Sequence, residues 1–229
     1  AMDIVLADLE IKGETKKVLM QAPKNGFLYV IDRQTGKLIG ADKFSKSNWA
    51  SKIDLETGRP LMGEAADYQK RPKHLWPGPI GAHNWQAMAY SPKQKLVYIP
   101  EMQHGATYIK SEMPNLRENF LNLSIITTYD QIDPNAGKGS IVPMDPVTLK
   151  PKWKVQHESF WNGGILATEG DLVFQGTADG EFAAYNAIDG TKLWSIDVQR
   201  GVTSAPMSYM VDGVQRIVIP VGYAGGYAA

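Results

Sequence analysis

The sequence contains no cysteine. Disulfides, thiolate metal sites, a cysteine nucleophile and a CxxCH haem attachment are therefore excluded within these 229 residues. Long apolar runs are also missing, and none approaches the roughly 18–20 residues that a membrane-spanning helix needs. Neither charge is in excess. Lys+Arg and Asp+Glu are both 24, and no basic stretch runs along the chain, which argues against nucleic acid as the main partner. The start, Ala1-Met2-Asp3, lacks a basic region followed by an apolar one, so no signal peptide is expected there. Hydrolytic signatures are absent too. There is no Gly-x-Ser-x-Gly elbow and no His-Glu-x-x-His pair, and His83 has no partner at metal-ligand spacing, so it reads as structural. Helical stretches are scarce, with Pro114–Leu121 the only segment that suggests a short turn of helix.

What is present is strand-like. Hydrophobic residues make up 43% of the chain, enough for a packed core. They fall in short runs, such as Phe27-Leu28-Tyr29-Val30-Ile31, Leu96-Val97-Tyr98-Ile99 and Leu172-Val173-Phe174, bounded by Gly, Pro, Asn or Asp. An internal repeat organises these runs. Tyr29–Leu38 recurs at Ala184–Trp194, more loosely at Pro143–Trp153, and in part at Ile53–Pro60. The shared logic is a strand, an Asp or Asn, a tight turn, and a second strand that often ends in Trp. Asp caps the turn through its side chain and Gly supplies positive φ. Asp32, Asp145 and Asp189 are accordingly expected to be turn caps rather than catalytic carboxylates. One such turn is ordinary hairpin chemistry, but several in the same frame point to a repeat architecture. The long interval between Asp32 and Asp145 requires an insertion, placed at His104–Lys138.

Three segments go beyond a generic repeat: Met20–Arg33, Gly81–Pro92 and Gly163–Gly180. Together they resemble PQQ-dependent quinoprotein alcohol dehydrogenases of the quinohaemoprotein type, over residues 4–227. The resemblance implies an all-β fold, a β-propeller fragment of about three complete four-stranded antiparallel blades plus a partial fourth. Blades are expected at 4–62, 80–156 and 160–200, with 202–229 as the partial one. PQQ and calcium are the family's cofactors. By the resemblance Lys24 hydrogen-bonds the quinone oxygens, while Asn84 and Trp85 line the PQQ pocket as polar clamp and aromatic wall. Without the resemblance, Lys24 would be a solvated turn residue and Trp85 an inter-blade core residue.

The family's calcium ligands, catalytic Asp, stacking Trp and adjacent-cysteine disulfide all lie N-terminal to the first matching segment. This chain is therefore expected to supply no catalytic and no metal-binding residue. It is read as the C-terminal half of a PQQ-dependent alcohol dehydrogenase propeller, not catalytic on its own, with weak PQQ binding at best. The expected partners are the N-terminal half or a second copy that closes the ring, and the family implies a periplasmic location. Two other readings stand beside this one: a binding or scaffold module that reuses a half-propeller, and a hydrolase on the same scaffold.

Overall fold

The computed structural model describes residues 2–111, 125–129 and 133–222. The expected helical turn at Pro114–Leu121 and the final glycine-rich residues after Gly222 lie outside the described residues. Strands β1 (Val5–Ile11), β2 (Glu14–Gln21), β3 (Phe27–Asp32) and β4 (Leu38–Lys43) form a four-stranded antiparallel sheet in sequential order. A separate hairpin follows, β5 (Ala50–Ile53) with β6 (Pro60–Met62), then a 3-10 turn at Glu64–Ala66. The chain continues through β7 (Lys73–Leu75), β8 (Ala89–Ser91), β9 (Leu96–Gln103), β10 (Ala106–Lys110) and β11 (Ile125–Thr128). Next come β12 (Lys138–Asp145), β13 (Lys150–Pro151) and β14 (Val155–His157). The second sheet runs β8-β9-β12-β13, and β14 also pairs with β12. Between β9 and β12 the insertion folds back, so that β10 joins β7 and β11 in a three-stranded side sheet. The third sheet is β15 (Ile165–Ala167), β16 (Leu172–Gly176), β17 (Glu181–Asn186) and β18 (Lys192–Asp197). A last hairpin, β19 (Met207–Val211) with β20 (Val214–Val218), opens a further unit. The fold is all-β, as the sequence predicts.

The turn chemistry explains the repeat. The Asp32 carboxylate accepts hydrogen bonds from the amides of Gln34 and Thr35 at 2.9 and 3.0 Å. Those amides hold its carboxyl below the usual carboxylate range. Gly36 then takes φ +75 and donates its N–H back to the Asp32 carbonyl. Asp145 caps the amides of Val147 and Thr148 in the same way, but Leu149 occupies the left-handed position. In the third sheet the cap is Asn186, whose Oδ1 accepts from Ile188 at 2.8 Å. Asp189, expected to be the cap, instead accepts from Thr191 inside the turn, the place that Thr35 takes before Lys37. The repeat frame is therefore offset by three residues from the Asp189 alignment, because Asn caps this turn as well as Asp does.

Packing between sheets follows from strand alternation. Val97 and Ile99 of β9 join Leu9, Val18, Met20, Leu28 and Val30 of the first sheet in one core cluster. Leu96 and Tyr98 point the other way, toward Ile165, Val173, Ala183 and Tyr185 of the third sheet. With both faces covered, all eight positions of β9 are buried. Two polar ties reinforce the second contact. The Ala187 carbonyl accepts from Tyr98 Oη at 3.0 Å and from Trp153 Nε1 at 3.2 Å. Gln175 donates its Nε2 to the Gly163 carbonyl at 2.7 Å, which leaves its Oε1 to accept from His157 Nε2 at 2.9 Å. On the outer face of the third sheet Phe174, Phe182 and Ala184 are buried, with Ile217 and Ile219 packed against them, but the edge strand is open. Every residue of β18 is exposed, and Trp194, at the repeat position of Trp153, is 49% exposed.

Two outcomes are expected. Burial raises the Tyr98 phenol to about 12, with Asp171 a smaller contributor, so the hydroxyl stays a donor at neutral pH. Tyr98→Phe removes one buried hydrogen bond and should lower unfolding free energy by about 1 kcal/mol in urea titrations. Burial also pushes His157 below its ordinary value, so the folded state resists protonation there. That contribution is complete above the ordinary value of about 6.5 and is lost as pH falls through it and below. Thermal melts between about pH 8 and pH 5 should show Tm falling on the acid side, and His157→Gln should flatten the fall.

Candidate functional site

The residues expected to line a pocket come from two loops, at the β2–β3 connection and in the segment ahead of β8. The first loop, Ala22–Gly26, is fixed on three sides. Asn25 Oδ1 accepts the Phe27 amide at 3.1 Å, Asn25 Nδ2 donates to Tyr29 Oη at 2.8 Å, and the Asn25 carbonyl accepts from Trp49 Nε1 at 2.8 Å. Lys24 is thereby held at the exposed tip. Its Nζ reaches the Pro79 carbonyl at 3.3 Å, which leaves further N–H donors on the ammonium.

The second loop is bound directly to the first. The Ala82 amide donates to the Lys24 carbonyl at 2.9 Å. Gly81 has φ +94, and a Cβ there would lie 2.8 Å from the Lys24 Cα, so only glycine allows the two backbones this approach. His83 is fully buried between the loops. Its Nδ1 sits 2.5 Å from the Ala22 carbonyl oxygen and its Nε2 2.6 Å from that of Gln86. The structural reading of His83 thus acquires a specific content: the ring spans the backbone just before Lys24 and the backbone just after Trp85. Asn84 is half-buried and donates its Nδ2 to the Ile80 carbonyl at 3.0 Å, one residue from the oxygen that Lys24 reaches. Lys24 and Asn84 are therefore brought to one short stretch of chain.

Trp85 is 45% exposed and packs edge-on to Trp161, with ring centroids 6.2 Å apart. It stands at the surface of an aromatic group that continues through Phe160 to His104. Burial lowers His104 from its ordinary value. Gln86 is a residue that the sequence did not single out. It is 2% exposed, and both of its amide atoms lack a partner among the described residues. Trp161 was also missed, because the Phe160-Trp161 pair between Ser159 and Asn162 is too short to carry a periodic signal. Among the described residues no group of three His, Asp or Glu side chains is placed to hold a metal ion.

An ammonium with spare donors, an amide and an exposed indole suit a planar, anionic, oxygen-rich ligand. Four-stranded antiparallel sheets stacked face to face in chain order define the chain as a β-propeller protein. Residues 137–217 match the family described as PQQ: Glucose/ethanol/alcohol dehydrogenase, beta-propeller domain. The chain is 44% identical over 224 residues to quinohemoprotein alcohol dehydrogenase ADH IIB of Pseudomonas putida, covering 97% of this chain and 32% of that protein. It is 41% identical to lupanine 17-hydroxylase [cytochrome c] of a Pseudomonas species, covering 98% of this chain and 32% of that one. The crystal structure of quinohemoprotein alcohol dehydrogenase from Comamonas testosteroni superposes with a TM-score of 0.89 at 38% identity, covering 97% of this chain and 34% of that one. By these matches the chain is similar to the PQQ-dependent quinoprotein alcohol dehydrogenases, over part of their propeller domain. It spans about a third of the length of the curated relatives it matches.

The junction of the two loops is testable through glycine. Gly13 also has positive φ, at +81, but nothing lies near its missing Cβ. Gly13→Ala should cost about 1 kcal/mol from backbone conformation alone. Gly81→Ala adds the collision with Lys24 and should cost about 1–3 kcal/mol more. Urea titrations of the two variants separate the terms.

Proposed function

We propose that the chain is the C-terminal half of a PQQ-dependent alcohol dehydrogenase propeller and forms one side of the cofactor pocket, without oxidising alcohols on its own. The observation that carries this reading is the locked junction of Lys24 with the Pro79–Asn84 stretch. When bound, PQQ supplies an ortho-quinone that accepts hydride from the alcohol. Lys24, with N–H groups to spare beside the Pro79 carbonyl, would hold the quinone oxygens and offset the negative charge of the reduced form. Asn84 would serve as a polar clamp on the cofactor, and the exposed Trp85 indole would give it an aromatic wall. The base that takes the alcohol proton and the oxygen ligands for calcium come from the rest of the propeller.

The uncovered β18 face supports the same reading. Leu193, Trp194 and Ile196 are all about half exposed, whereas the corresponding face of the first sheet is covered by the second. An apolar sheet face of this kind calls for a neighbour. That neighbour is the remaining part of the propeller, or a second copy of this chain, in a periplasmic enzyme.

The chain alone should show no dye-linked alcohol oxidation with added PQQ and calcium. Co-expression with the N-terminal part of a relative's propeller should restore activity. Lys24→Ala in the restored enzyme should then lower kcat by about 10²–10³. Activity in the isolated chain, or activity indifferent to Lys24, would overturn the assignment. Light scattering distinguishes a monomer from the ring-closing dimer.

A further inference from the structure

A polar cleft of about 270 Å³ lies beneath Trp76, walled by the end of β4, the end of β9 and the stretch that leads into β12. None of its walls is Lys24, Asn84 or Trp85. The volume equals several waters at roughly 30 Å³ each, enough for a ligand of a few heavy atoms.

Its floor is built from buried polar groups. Glu101 has a side chain only 1% exposed, yet faces Lys154 Nζ at 2.6 Å. Gln103 donates its Nε2 to the same Glu101 carboxylate at 3.1 Å. A carboxylate only accepts, so this contact fixes which end of the amide is which. The other end, Gln103 Oε1, is then a buried acceptor. The residue is 8% exposed, and no donor reaches that oxygen among the described residues. A buried carbonyl oxygen without a donor is uncommon in a folded protein.

The rim has the opposite character. Lys43 donates to the Ser47 carbonyl at 2.8 Å, and Lys46 pairs with Asp133 while its Nζ stands 4.4 Å from the Trp76 ring centroid. Each ammonium has three donors, so each retains N–H groups for a ligand. The cleft carries three lysines against two carboxylates, Glu101 and Asp133, and is left with one uncompensated positive charge. A monoanion balances it. The same positive charge disfavours a ligand ammonium, so the donor that Gln103 Oε1 needs is a hydroxyl.

We propose that this cleft is a second ligand site, which takes a small hydroxycarboxylate. Its carboxylate sits among Lys43, Lys46 and Lys154, its hydroxyl donates to Gln103 Oε1, and the Trp76 ring covers its carbon skeleton. The assignment does not depend on PQQ binding.

Calorimetric titration of the chain with glycolate, acetate and inorganic phosphate tests it. Glycolate should bind about tenfold more tightly than acetate, the difference being one hydroxyl to an otherwise unpaired oxygen. Gln103→Met should abolish that difference. Lys46→Gln, at an exposed position that leaves the fold intact, should weaken both ligands by about tenfold and keep their ratio. If Gln103→Met fails to fold by circular dichroism, the glycolate-to-acetate ratio and Lys46→Gln still decide. Absence of glycolate binding up to about 50 mM would overturn the site. So would equal affinity for acetate and glycolate, tighter binding of phosphate, or glycolate binding indifferent to Lys46→Gln.

Discussion

The rest of the molecule depends on the second sheet being buried on both faces. A strand with one wet face reads as alternating apolar and polar residues. β9 instead presents Leu96-Val97-Tyr98-Ile99 without a break, and each residue in turn serves a different neighbour. Among the described residues the first and third sheets share no core cluster. Each is held through the sheet between them, so both candidate loops inherit their positions from it. The Met102 amide, near the end of β9, donates to the Ala82 carbonyl at 2.7 Å, and this bond connects the central strand to the loop that carries Asn84 and Trp85.

Much of this was legible in the residues. Continuous apolar runs bounded by turn formers gave doubly buried strands, and repeated Asp or Asn turns gave stacked units. The details that escaped share a physical cause. Asn186 and Asp189 both carry an oxygen at a plausible capping distance in sequence, and only the backbone shows which amides each one meets. The Ile53–Pro60 turn has the same chemistry as Asp32–Gly36, with Asp54 accepting from the Thr57 amide, but its strands form a short hairpin outside the four-stranded sheets. Turn chemistry sets the local hairpin, and burial decides whether that hairpin enters a blade.

For the candidate site, residue types were legible and their mutual placement was not. Lys24, Asn84 and Trp85 were named through the family resemblance, whereas the devices that join their loops are silent in sequence. Gly81 looks like any loop glycine until Lys24 is seen to lie on it. His83 looks like an isolated histidine until two carbonyl oxygens are seen at its nitrogens. The cleft beneath Trp76 is quieter still, since Glu101 and Gln103 sit in a strand whose apolar half dominates its pattern.

Structures made of near-copies face a problem of address: any unit could dock beside any other. The double acceptance at Ala187 answers it for one junction. Tyr98 and Trp153 of the second sheet both donate to that single carbonyl. In the first sheet the same turn position is Arg33, whose guanidinium pairs with Asp8 at 3.1 Å. Both turns donate their amide in the same way, Arg33 to the Lys17 carbonyl and Ala187 to that of Asp171, so the side chain makes the difference. A sheet bearing Tyr and Trp donors meets a bare methyl beside its receiving carbonyl at Ala187 and a charged, paired side chain at Arg33. Neighbouring blades are thus told apart by one side chain in turns whose backbone bonding is the same.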